Sequence, residues 1–207
     1  MYIVDPGISP ELQKELSNNG IVDGLIVFTL NEITHYSHRD FLGEDNIILA
    51  GIRRDGNNWV TIEFIDGKVS EGLAKWTLEK KQFAGEEVDY GTYVFEGIGK
   101  TAEALLNAFG ISDEVGSFEY DGKVWSVLNA MISEEGVIPA GIRKDGNNWV
   151  TIEFIDGKVS EGLARQTEET REIAGMEGKY VTYVFENIGE AGKELLNALG
   201  VYDDKGI

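Results

Sequence analysis

The sequence predicts an α+β fold: a unit of about 90 residues duplicated in tandem, each copy an antiparallel β-meander packed against helices, the two related by pseudo-two-fold symmetry. Three observations lead there. Gly51 to Lys75 reads GIRRDGNNWVTIEFIDGKVSEGLAK and Gly141 to Arg165 reads GIRKDGNNWVTIEFIDGKVSEGLAR, so 23 of 25 positions are identical and both differences are Arg/Lys exchanges. That shared segment alternates apolar and polar residues and then meets an Asp-Gly pair, the pattern of strands joined by a tight hairpin. Each copy then closes on a stripe of apolar residues at helical spacing.

In chain order, the 90-residue offset applied backwards places Gly7, Ile8, Leu16, Gly20 and Ile21 on Gly97, Ile98, Leu106, Gly110 and Ile111. Residues 1–24 therefore read as a partial strand–helix copy, 25–115 as the first full unit and 116–207 as the second. Within a unit, Ile48 to Ile52 runs into Asp55-Gly56-Asn57-Asn58, a cluster of residues that tolerate positive φ. Trp59 to Ile65 then alternates, with Val60, Ile62 and Phe64 on one face and Trp59, Thr61 and Glu63 on the other. Asp66-Gly67 turns the chain, and a further strand starts at Val69, with Gly72 leaving its extent open. Tyr90 to Glu96 is the next strand. It feeds a helix from Gly99 to Phe109 whose Ala102, Leu105, Leu106 and Phe109 share a stripe and whose exit is Gly110. In the second unit Val124, Val127, Leu128, Met131 and Ile132 recur at helical spacing, which predicts a helix ahead of the meander. Their counterparts Thr34, Ser37, His38, Phe41 and Leu42 are half polar, the largest chemical difference between the copies.

Composition excludes several functions. The chain has no cysteine, so no disulfide framework and no Cys-ligated zinc or iron–sulfur centre can form. With 42% apolar and 10% aromatic residues there is enough apolar surface to offset ordering entropy. A net charge of −19 repels phosphate, which argues against direct contact with nucleic acid. Met1 to Pro6 lacks a basic n-region, and Leu25-Ile26-Val27-Phe28 is far too short to span a bilayer, so a soluble cytoplasmic protein is expected. No Walker A loop, dinucleotide glycine motif or nucleophile elbow is present, and no cofactor is expected.

Three groups of residues remain as candidates. Both histidines, His35 and His38, lie in Thr34 to Asp40; on a helix they would share a face at i, i+3, with Asp40 adding an oxygen. A site needs three or four ligands and only two histidines exist, so no metal is expected and His35, His38 and Asp40 are weak candidates. If the chain were an enzyme, His38 would be the general base, because imidazole titrates near neutral pH. The twice-present Asp-Gly-Asn-Asn-Trp places Asn58 and Trp59, and again Asn148 and Trp149, at a loop that docks a ring-bearing ligand or serves the hairpin alone. Arg53 and Arg143 flank these loops and suit a small anion, one pocket per unit.

The acids are spread through the chain, 20 against 9 bases up to residue 115 and 17 against 9 bases after it. A negative field over both units speeds encounter with a basic partner. The expected function is thus a non-enzymatic acidic protein that inhibits or sequesters a basic protein, such as a nuclease or nucleic-acid-binding protein. Trp59, Trp149, Tyr90 and Tyr180 are the aromatic anchors such an interface would use. A small anionic-ligand binder and an enzyme built on His35 and His38 are the alternatives.

Overall fold

The computed structural model describes residues 23–204. The partial N-terminal copy read from the sequence lies almost wholly outside these residues. Twelve strands are present among them: β1 (Leu25–Leu30), β2 (Ile33–His38), β3 (Ala50–Asp55), β4 (Asn58–Ile65), β5 (Lys68–Phe83), β6 (Glu86–Glu96), β7 (Val115–Tyr120), β8 (Lys123–Leu128), β9 (Ala140–Asp145), β10 (Asn148–Ile155), β11 (Lys158–Ile173) and β12 (Met176–Glu186). Two nine-residue helices accompany them, α1 (Lys100–Ala108) and α2 (Glu190–Ala198). The strands form one antiparallel sheet in chain order, without a crossover.

This corrects the expected α+β class with pseudo-two-fold symmetry. Strand accounts for 60% of the structure and helix for 15%. The helix predicted from Val124 to Ile132 does not form: Lys123–Leu128 is strand β8, followed by a single 3₁₀ turn at Asn129–Met131. Of the apolar stripe, Val127 enters a core beside Trp125 and Met131 and Ile132 pack from the turn beyond, whereas Val124 is exposed. The counterpart segment is likewise strand β2 and a 3₁₀ turn at Arg39–Phe41.

The meander itself forms as the residues dictate. Asp66 and Gly67 both take positive φ, 49° and 74°, as a two-residue turn between twisted strands requires. Opposite Trp59, Thr61 and Glu63 on β4 lie Ala74, Gly72 and Ser70 on β5. The strand after the turn runs on for 16 residues, past Gly72, to a second turn at Ala84-Gly85 with φ of 55° and 81°.

Two compact units result, 23–77 with 92–113 and 78–91 with 114–204. In the first, Ala50, Ile52, Trp59 and Ala74 of the strands form a core with Ala102, Leu105 and Leu106 of α1, closed by Phe109 and Ile111. The second has a matching core of Ala140, Ile142 and Ala164 with Leu195 and Leu196 of α2. It also has another, in which Phe83, Val88 and Tyr90 meet Phe118, Trp125, Val127, Ile138, Val150 and Ile152. The Phe83 ring lies 5.1 Å from Phe118 and 4.9 Å from Tyr120.

Candidate functional site

The Asn-Asn-Trp loops serve the hairpins first. Asn58 begins β4, and its Oδ1 accepts the Trp76 N–H at 2.9 Å. Asn148 accepts the Gln166 N–H at the same distance. Each asparagine side chain therefore ties the strand start to the next, directly paired strand, satisfying a backbone donor. Trp59 is buried, and the Arg54 guanidinium lies 5.9 Å from its ring centre. Trp149 is half-buried with the Lys144 ammonium at 4.6 Å.

Arg53 on β3 and Arg143 on β9 are both half-buried. Arg143 sits 5.3 Å from the ring centre of Trp125, and its Nε is buried without a hydrogen-bond partner. An open groove of about 380 Å³ adjoins it in the second unit, lined also by Asp145, Glu161, Glu186 and Asn187. Of its three carboxylates, Glu161 is paired with Lys123 and Glu186 with Arg165.

The histidine segment is a strand and not a helix, so His35 and His38 point to opposite faces of β2. His35 is buried, stacked on Phe28 with ring centres 5.4 Å apart, and its Nδ1 contacts the Ile33 carbonyl at 3.0 Å. Burial pushes its pKa below the ordinary histidine value, with Arg53 acting the same way, against the Ile33 hydrogen bond and Glu71. His38 Nε2 contacts the Asp23 carbonyl at 2.9 Å, while its Nδ1 accepts the Asp40 N–H at 3.3 Å and lies 3.3 Å from Asp40 Oδ2. The fold thus brings together His38 and Asp40 but not His35. Both ring nitrogens of His38 are engaged by its own chain. Among the described residues no group of three or more histidines and carboxylates is placed to hold a metal.

Two carboxylates that the sequence analysis did not single out, Glu63 and Glu153, are buried. Glu63 and Glu153 lie on β4 and β10 under the first turn of α1 and α2. Glu153 accepts the Gly189 N–H at 2.6 Å and the Gly192 N–H at 2.8 Å; Glu63 accepts the Thr101 N–H at 3.1 Å. Each is a charge at the positive end of a helix whose N-cap, a glycine, has no side chain to offer. The available signal was a glutamate inside Trp-Val-Thr-Ile-Glu-Phe, otherwise almost free of charge, in both copies.

All other carboxylates among the described residues are exposed, apart from half-buried Asp203 and Asp204. Many of the bases already face an acid: Lys80 meets Asp89 and Glu87, Lys123 meets Glu161, Arg165 meets Glu186, and Arg171 meets Glu169. Of the four aromatic candidates, Trp59 and Tyr90 are committed to cores, Trp149 is half-buried against a core, and Tyr180 is exposed. Sequence reasoning passed over Tyr202, which with Tyr180, Tyr183 and Phe185 lines an open cleft of about 700 Å³ beside β12. No helix among the described residues is long and apolar enough to cross a membrane. No protein-family model matches the chain, and neither a curated protein nor a solved structure is similar to it.

Proposed function

We propose that the chain is an acidic, non-enzymatic binding protein that inhibits or sequesters a basic partner such as a nuclease or a nucleic-acid-binding protein. One observation carries this reading: the carboxylates stand on the surface of a strand framework, while many cations among them are locally paired. The surplus, from a chain of net charge −19, faces solvent over both units. Carboxylates at such density occupy a cationic surface as phosphates would, and steer the encounter. Exposed Tyr180 and half-buried Trp149 are the aromatic anchors that such an interface would use.

The test is capture of extract proteins on the immobilised chain at low salt. Basic proteins, released as ionic strength rises to about 0.5 M, are expected because exposed charge pairs are screened there. Retention of no basic protein at low salt overturns the reading.

A further inference from the structure

We propose that each unit carries one site for a small zwitterion of the α-amino-acid type, at the groove beside Arg143 in the second unit and at the same positions around Arg53 in the first. Such a ligand uses the few charges of this face, not the acidic surplus, so the site stands apart from the basic-partner reading.

In the second unit Arg143, Val150, Leu163 and Glu186 stand directly opposite one another across four strands. Trp149 and Ala164, one residue along on β10 and β11, take the opposite face with α2. The groove of about 380 Å³ therefore sets apolar Val150 and Leu163 between charged groups, on the face turned away from the helix. Glu161 and Glu186 are already paired, with Lys123 and Arg165. The two charges left over are of opposite sign. Arg143 has a buried Nε without an acceptor, and the Asp145 side chain makes no ion pair among the described residues. They are two residues apart on β9, so they share a face at about 7 Å. A guanidinium takes a carboxylate through two parallel bonds, and a carboxylate takes an ammonium. A ligand with both groups on one carbon, and a side chain over Val150 and Leu163, answers all of these. A simple anion leaves Asp145 unanswered, and a simple cation leaves Arg143.

The first unit repeats the arrangement. Arg53 stands opposite Val60, and Val60 opposite Leu73, in the same register. Asp55, Glu71 and Glu96 are exposed like Asp145, Glu161 and Glu186, and Arg53 and Leu73 are half-buried like Arg143 and Leu163, so this face is open to the same degree in both units. In the lining only Asn187 differs, replaced by Gly97. Beside it Ile33 replaces Lys123, which leaves Glu71 open to the ligand's ammonium as well.

Duplication alone does not account for this likeness. The copies match at 4 of the 26 positions 25–50 and at 19 of the 38 positions 76–113, against 23 of 25 in the segment between. A recent copy would match evenly along its length. Elsewhere charges even reverse: Asp89, Lys100 and Glu103 become Lys179, Glu190 and Lys193. Every charge lining the groove keeps its sign, and the cation beside Glu186, Arg165, is matched by Lys75.

Isothermal titration of the full chain with each of the twenty free L-α-amino acids, up to millimolar, tests this. At least one is expected to bind at two ligands per chain, and its N-acetyl and carboxamide forms to bind about tenfold weaker or less, each having lost one charge. Asp145→Asn and Asp55→Asn, at exposed positions, are each expected to lower the stoichiometry from two to one, as are Arg143→Gln and Arg53→Gln. Circular dichroism checks that the variants fold. Failure of every amino acid to bind the wild-type chain overturns the proposal. So does equal binding of the capped forms, or a stoichiometry of two that survives in the folded aspartate variants.

Discussion

The Glu153 carboxylate accepts the backbone N–H of Gly192 at 2.8 Å, across 39 residues of chain, and so fixes α2 to β10. Its second oxygen takes the Gly189 N–H at 2.6 Å, and the side chain is 2% exposed. The bond joins sheet to helix where neither could satisfy its own groups. The helix lacks a capping side chain, and the buried charge lacks water.

Glu153→Ala is therefore expected to lower stability by about 3 kcal/mol, since two hydrogen bonds to a charged acceptor are lost at the positive end of a helix. Glu63→Ala should cost less, because Glu63 Oε2 is buried without a partner and one oxygen carries the bond to Thr101. Urea denaturation of both variants measures the order. Equal losses would mean that the caps do not differ as the geometry says.

The close approach of the segment between β12 and α2 also constrains Gly162 on β11. A Cβ there would lie 2.6 Å from the Asn187 carbonyl oxygen and 2.6 Å from Thr151 Oγ1. The first contact is with backbone and cannot be relieved by a rotamer change. Gly162→Ala should destabilise by about 1–3 kcal/mol, the usual range for overpacking. A thermal midpoint equal to wild type would show that the strands can part.

What could be read from the sequence was whatever depended on local chemistry. Asp66-Gly67 and the stripe of Leu105 and Leu106 announced a turn and a helix because each carries its own conformational preference. The Ala84-Gly85 turn was missed because alanine is not the residue that positive φ favours. The charged run from Glu79 to Lys81 likewise hid a strand continuing to Phe83. Val124 to Ile132 misled because a strand followed by a 3₁₀ turn sets apolar residues at spacings that also fit a helix. Glu63 and Glu153 were invisible as caps because their partners lie 38 and 39 residues away. The loops after Asp55 and Asp145 were recognised as repeated features, but not that Asn58 and Asn148 face their own chain.

That last placement predicts a separation of roles. Asn148→Ala should cost about 1 kcal/mol by leaving the Gln166 N–H without its acceptor, and Asn58→Ala a similar amount at Trp76. The double variant should lose the sum, because the two bonds share no residue. Chemical denaturation of the three variants decides it. A single variant of unchanged stability would move these residues back to the ligand-binding role.

His35 gives the fold a pH dependence of known sign. Its folded pKa lies below the ordinary value of 6.5, chiefly through burial, so the unfolded chain binds the proton more readily. The stabilisation from keeping His35 neutral is fully present above pH 6.5 and is lost as pH falls through the folded value. His35→Phe preserves a ring against Phe28 and removes the proton. Unfolding free energies of wild type and His35→Phe, taken at steps between neutral pH and the carboxylate range, should diverge below pH 6.5, with wild type falling faster by up to one proton's slope. Parallel curves would mean that His35 takes up its proton equally well folded and unfolded, and that the buried imidazole contributes no linkage.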